Sequence, residues 1–207
     1  MKKMQIRQIE PVFGNEEIAL LTQVISSTFV SEHQLTKQFE EKLARLLGVT
    51  YAACVPNGTL ALTVAALALG IKSGDEVIIP DVTMAGSVNG IILAGAVPVL
   101  CDIEPKQMVI DIEQIEKHIT KKTKAIVAVD LNGRAPNYYK LRKLANKHHL
   151  FLIEDAAQAL GSKWDKHFLG TFGNIGCFSF SVPKIVTCLI FFGSNQLTCI
   201  DTNIVFG

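Results

Sequence analysis

The sequence predicts an α/β fold of three layers, with a mostly parallel central sheet between two layers of helices. Two observations carry this. Short apolar runs of strand type alternate with helical stretches along most of the 207 residues, the pattern of repeated βαβ units. The runs are continuously apolar rather than alternating, so both faces of each strand need cover, as in parallel sheets. The composition agrees, with 49% hydrophobic and 19% charged residues, enough for a substantial core.

Each element has a local cause. Glu16 to Ser27 and Leu35 to Leu47 read as helices; the second carries Leu35, Phe39, Leu43 and Leu46-Leu47 on one stripe and stops at Gly48. Tyr51 to Val55 is a short strand, followed by an Ala/Leu helix from Thr59 to Leu69 that Gly70 ends. Glu76 to Ile79 is a strand closed by Pro80, and Ala85 to Ala94 a helix ended by Gly95. Val97 to Ile103, Ala125 to Leu131, Leu150 to Glu154 and Ile175 to Phe180 are further strands; Ile112 to Ile119 and Tyr138 to His148 are helices. Asn57, Asp81, Asp130 and Asp155 fall at or just past strand ends, where ligand sites of such sheets lie.

Several classes of function are disfavoured. A formal charge of +1 gives no electrostatic reason to expect nucleic acid or an anionic membrane as partner. Cys54, Cys101, Cys177, Cys188 and Cys199 are odd in number and scattered, which argues against a disulfide framework or a zinc site. The five histidines lack metal spacing, so no metal is expected. Met4-Gln5-Ile6-Arg7-Gln8 lacks the apolar core of a signal peptide, and no window approaches the roughly 20 apolar residues that span a bilayer. The expected location is cytoplasmic.

The end of the chain differs. From Cys188 to Gly207 only Asp201 is charged, and Cys188-Leu189-Ile190-Phe191-Phe192 has no evident partner element. The expected organisation is one large domain over residues 1–187, incomplete, then an atypical apolar tail over 188–207 of the kind a frameshift or truncation would leave.

Chemistry concentrates in three places. Asn57-Gly58-Thr59 opens an apolar helix after a strand. Gly58 lets an anion approach the backbone, and Thr59 offers an N–H and a hydroxyl at the positive end of the helix dipole. Taken alone, an ordinary helix N-cap accounts for it. Asp155 ends the run Leu150-Phe151-Leu152-Ile153-Glu154, where a half-buried carboxylate would keep a pyridine nitrogen protonated; alone, it too suits an N-cap. Glu154 is expected to point the other way and serve structure. Gln158 could bond a ring hydroxyl. Lys184 follows Phe178-Ser179-Phe180-Ser181-Val182-Pro183, apolar neighbours that favour a neutral, nucleophilic amine over a surface charge. A lysine that can condense with an aldehyde, a carboxylate for a ring nitrogen and a phosphate-ready helix terminus are together the parts that hold pyridoxal phosphate.

In this order the motifs resemble the N-terminal part of the DegT/DnrJ/EryC1/StrS family of sugar aminotransferases. The resemblance runs from about Phe29 to Thr187. It includes Phe29-Val30-Ser31-Glu32, Leu35-Thr36-Lys37-Gln38-Phe39-Glu40, Asn57-Gly58-Thr59-Leu60-Ala61-Leu62 and Gly74-Asp75-Glu76-Val77-Ile78-Ile79-Pro80. It continues through Gly95-Ala96-Val97-Pro98-Val99, Glu154-Asp155-Ala156-Ala157-Gln158 and Phe178-Ser179-Phe180. The resemblance implies the large domain of a fold-type-I pyridoxal phosphate transferase, with Lys184 as the cofactor-bonding, proton-moving lysine. It implies Asp155 at the pyridine nitrogen, Gln158 at the ring hydroxyl, and Gly58, Thr59 and Ser179 at the phosphate. The implied reaction moves an amino group from glutamate to a keto group of a nucleotide-linked sugar, in a homodimer.

Three departures stand out. Met84, beside Thr83, occupies the position where the family often stacks an aromatic residue on the ring. Asp130 stands where many members have histidine. The family usually follows the lysine with a glycine-rich turn and a small C-terminal domain, unlike residues 188–207. Members that dehydrate sugars carry histidine in place of the lysine, so Lys184 favours transamination. A dehydratase and a non-catalytic remnant are the alternatives.

Overall fold

The computed structural model describes residues 10–28, 34–181 and 183–186, and the backbone of residues 197–201. Helices α1 (Asn15–Ser26) and α2 (Gln34–Leu47) lead into strand β1 (Tyr51–Val55) and helix α3 (Gly58–Ala68). Next come β2 (Glu76–Pro80), α4 (Ala85–Leu93), β3 (Val97–Cys101), the short pair β4 (Ile103–Glu104) and β5 (Val109–Ile110), and α5 (Ile112–His118). Then follow β6 (Thr123–Val129), α6 (Tyr138–Lys147), β7 (Phe151–Asp155), the hairpin β8 (Lys163–Trp164) and β9 (His167–Phe168), β10 (Ile175–Cys177) and β11 (Leu197–Asp201).

The main sheet has the order β1-β11-β10-β7-β6-β2-β3. Strands β10, β7, β6, β2 and β3 run parallel, while β11 is antiparallel to both its neighbours. The chain steps outward from β2 to β3 through α4 and back from β3 to β6 to β7 through α5 and α6. Right-handed crossovers therefore place α4 on one face and α5 and α6 on the other. Helix α3 packs on α4, so it shares the first face. The three layers follow.

The middle strands are buried on both sides, as their uninterrupted apolar runs require: Val77, Ile78, Ile79, Ile126, Val127 and Ile153 have no exposed surface. The first face is closed by an unusually tight seam between α3 and α4. A Cβ at Gly90 would lie 2.7 Å from Leu62 Cβ and 2.8 Å from the Thr59 carbonyl oxygen, so only glycine fits. Thr63 Oγ1 donates across the same seam to the Gly90 carbonyl at 3.0 Å. No helix among the described residues is long and apolar enough to cross a membrane.

Two expected elements are corrected. The strand expected over Val97 to Ile103 breaks at Asp102, whose carbonyl accepts from Asp111 N–H at 2.9 Å; beyond it Ile103 pairs with Ile110 in the small β4–β5 ribbon. The strand expected to reach Phe180 ends its ladder at Cys177, because its neighbour β7 ends opposite, at Asp155. In the tail, Leu197–Asp201 pairs on one edge with β1 and on the other with β10; Cys188 to Phe192 lie outside the described residues.

Candidate functional site

A cleft of about 520 Å³ opens where β1, β7 and β10 end and α3 and α4 begin. All seven residues singled out in the sequence line it: Gly58, Thr59, Met84, Asp155, Gln158, Ser179 and Lys184. Asp81 and Asp130, also near strand ends, are absent from its wall.

Asp155 is placed by the backbone on either side of it. Its carbonyl accepts from Asp130 N–H, and the next N–H, of Ala156, donates to the Cys177 carbonyl. The buried side chain is held at both oxygens. Ser87 Oγ–H donates to Oδ2 at 2.6 Å, and Ala157 N–H donates to Oδ1 at 3.2 Å. No helix starts there, so the N-cap alternative falls. Burial pushes the carboxyl above its ordinary range; the Ser87 hydroxyl, the Ala157 N–H and the Lys184 charge pull it back. Lys184 is affected in the mirror sense: burial lowers its ionisation, and Asp155 opposes that. Its backbone is turned into the cleft by a hydrogen bond from its N–H to the Ser181 carbonyl at 2.8 Å.

At the other end of the cleft, Asn57 caps α3, its Oδ1 accepting from Leu60 N–H at 2.9 Å. Gly58 and Thr59 N–H groups have no acceptor within the helix and face the cleft, an arrangement suited to an anion. Ser179 Oγ lies 3.3 Å from Ser181 Oγ on the same wall. Gln158 Oε1 accepts from Asn132 N–H at 3.1 Å, which leaves its amide NH₂ as the group able to donate into the cleft. Met84, more than half exposed, leads into α4 at the rim.

Behind Asp155 lies a second buried network. Glu154, with no exposed surface, turns away from the cleft and accepts from Phe172 N–H at 2.7 Å, Gly173 N–H at 3.0 Å and Gly170 N–H. Its structural role is as expected from the sequence, though it anchors a loop rather than a helix. That loop sits directly on β10: a Cβ at Gly176 would fall 2.0 Å from the Gly170 carbonyl oxygen. Asp130 joins the network, Oδ1 accepting from Tyr138 O–H at 2.6 Å. Tyr138 and Trp164 pack with Phe172, so these aromatics belong to the core. Among the described residues no group of His, Cys, Asp and Glu is arranged to hold a metal ion.

Residues 11–189 match the DegT/DnrJ/EryC1/StrS aminotransferase family. The chain belongs to this family. It is 41% identical over 179 residues to the GDP-perosamine synthase of Vibrio cholerae, covering 86% of this chain and 49% of that protein. It resembles the solved aminotransferase of Psychrobacter cryohalolentis at 34% identity and a TM-score of 0.85, covering 94% of this chain and 49% of the other. It also resembles the Escherichia coli GDP-4-keto-6-deoxy-D-mannose-3-dehydratase with bound hydrated PLP, at 26% identity and a TM-score of 0.85, over 96% of this chain and 51% of that one. Other similar structures of the family's fold hold pyridoxal or pyridoxamine phosphate. The chain spans about half the length of the relatives it matches.

Sequence reading missed Ser87 as a contact of Asp155. The two are 68 residues apart, and no local motif marks the pairing. Only the expected helix from Ala85 to Ala94, which begins beside the strand ends, could have suggested it.

Proposed function

We propose that this chain is the cofactor-binding half of a pyridoxal phosphate-dependent aminotransferase that carries an amino group from glutamate to a keto group of a nucleotide-linked sugar. The observation supporting it most directly is the convergence of Asp155, Lys184 and the α3 N-terminus on one cleft. The cleft also passes a test of fit. A buried carboxylate fixed at both oxygens suits a protonated ring nitrogen, and a half-buried lysine with weakened ionisation suits bonding to an aldehyde carbon.

Bound there, the cofactor supplies an electron sink for the carbon that loses its proton. The chain's own residues supply the rest. Asp155 holds the proton on the ring nitrogen. Lys184 Nζ would hold the cofactor through its aldehyde carbon, and its amine would serve as the general base and acid for the proton that moves. Gly58, Thr59 and Ser179 would hold the phosphate, Gln158 would donate to the ring oxygen, and Met84 would pack against the cofactor from the rim. The dehydratase likeness makes sugar dehydration the second reading; Lys184 at the bonding position supports amino transfer instead. Exposed Ile92, Leu93, Val97 and Leu100 support burial against a second copy in a homodimer.

The test is direct. Purified chain mixed with pyridoxal phosphate should develop the visible absorbance of a lysine-bound cofactor, and Lys184→Ala should abolish it. Absence of that band from the unsubstituted chain sinks the proposal, as does its survival in Lys184→Ala.

A further inference from the structure

We propose that Ser87 is the positioning residue for Asp155, fixing the plane and the charge of its carboxylate, with Thr83 setting the direction of the Ser87 hydrogen bond. The proposal rests on the cofactor reading above and adds to it a residue outside the set carried by the family resemblance. Ser87 lies in the first turn of α4 and is 2% exposed, so water does not compete for its hydroxyl.

Donor and acceptor roles follow from chemistry. An ionised carboxylate only accepts, so at 2.6 Å from Asp155 Oδ2 the Ser87 hydroxyl must donate. Its single proton is then committed. The 2.7 Å contact between Thr83 Oγ1 and Ser87 Oγ must therefore run from Thr83 to Ser87. Thr83 lines the cleft, and its oxygen keeps lone pairs able to accept a further hydrogen bond. The chain Thr83 to Ser87 to Asp155 has one direction while Asp155 is ionised. Protonation of Asp155 would remove the acceptor that orders it.

The relay is seated rigidly. Ser87 N–H donates to the Met84 carbonyl at 2.9 Å. A Cβ at the neighbouring Gly86 would stand 2.7 Å from Met84 Cε and 3.1 Å from Thr59 Oγ1. The turn that carries Ser87 is thus pressed against the turn that carries Thr59, so the carboxylate anchor and the anion-facing helix end move as one piece. With Ala157 N–H on Oδ1 and Ser87 on Oδ2, both ends of the carboxylate are pinned. The charged or titratable groups acting on Asp155 are Lys184, after β10, and Asp130, at the end of β6; Glu154 lies next to it on β7. Of the groups favouring its ionised form, Ser87 has the largest effect.

The experiment uses the full chain with carboxyl-¹³C-labelled aspartate, with and without pyridoxal phosphate. In Ser87→Ala the Asp155 carboxyl should titrate at higher pH than in the parent, and Ser87→Thr, which keeps the hydroxyl, should restore it. Pyridoxal phosphate affinity, read from visible absorbance, should fall about ten- to hundred-fold in Ser87→Ala, the effect of losing one hydrogen bond to a charged group. The signal of ¹⁵N-labelled cofactor should report a less protonated ring nitrogen. Unchanged titration and affinity in Ser87→Ala overturn the proposal. A parent chain that shows no visible band overturns the cofactor reading instead, while the Asp155 titration still judges the Ser87 link. Should circular dichroism show Ser87→Ala unfolded, Thr83→Val removes the donor into Ser87 from outside the carboxylate. A smaller upward shift is then expected, and no shift refutes the relay.

Discussion

Replacing Asp130 with asparagine isolates the electrostatics of the buried carboxyl pair behind the cleft. Asp130 is fully buried; Tyr138 O–H occupies its Oδ1, and no N–H or O–H donor meets its Oδ2. Burial first, and then the charge of Glu154, hold its carboxyl well above the ordinary range. Glu154 is also raised by burial, but the N–H groups of Gly170, Phe172 and Gly173 oppose this. Asp130 is therefore the member of the pair that takes up a proton more readily. In the unfolded chain Asp130 ionises near its reference value of about 3.9. Between that pH and its folded value the native state binds more protons, so unfolding free energy falls as pH rises. Each unit of separation is equivalent to about 1.4 kcal/mol. Asparagine has the same outline, can donate to Glu154 through its amide nitrogen and accept from Tyr138, and does not titrate. Asp130→Asn should therefore be about 1–2 kcal/mol more stable than the parent near neutral pH, the size of a buried polar group brought into a hydrogen bond. The advantage should shrink as pH falls toward about 4. Urea unfolding followed by circular dichroism at several pH values, with the denaturant slope unchanged, reads this out. A variant less stable than the parent at neutral pH, with the parent flat across the series, would mean that Asp130 is folded as a satisfied anion and that the reasoning is wrong.

Two further outcomes bear on the fold and the site. Gly176→Ala should destabilise the chain by about 3 kcal/mol or more, since the new methyl meets a backbone carbonyl that cannot rotate away; thermal unfolding would show it. Asn57→Ala should lose about 1 kcal/mol of stability with its cap and weaken pyridoxal phosphate binding. A variant with weakened stability and unaltered affinity would separate the cap from the anion site.

Where a property is local, the sequence carried it. The continuous apolar runs at Val77-Ile78-Ile79 and Ile126-Val127 need cover on both faces whatever surrounds them, and both are central strands. The stripe of α2 buries Leu43 and Leu47. The seven site residues sit at strand ends and helix starts, which a parallel sheet gathers along one edge, and they share one cleft. Properties set by distant partners were not legible. The ladder of β10 stops at Cys177 because of where β7 ends, not because Phe178 or Phe180 resists extension. Asp102 bends the chain through a carbonyl answered by Asp111. Asp130, at a strand end like Asp155, was not separable from a cleft residue until Tyr138 and Glu154 surrounded it.

The two adjacent carboxyls of β7 make the strand intolerant of slippage in a particular way. Successive residues of a strand face opposite sides, so a shift of one position turns each side chain to the other face. A shift in one direction would carry Glu154 into the place of Asp155 at the cleft; a shift in the other would carry Asp155 into the place of Glu154 at the Gly170–Gly173 loop. A side chain one methylene too long would meet the Ser87 hydroxyl, and one too short would fall away from three backbone N–H groups. Insertion or deletion of a single residue in β7 would keep every side chain type present and still ruin the loop anchor and the cleft together. The strand can thus be read as a two-position code, in which order as well as chemistry carries the information.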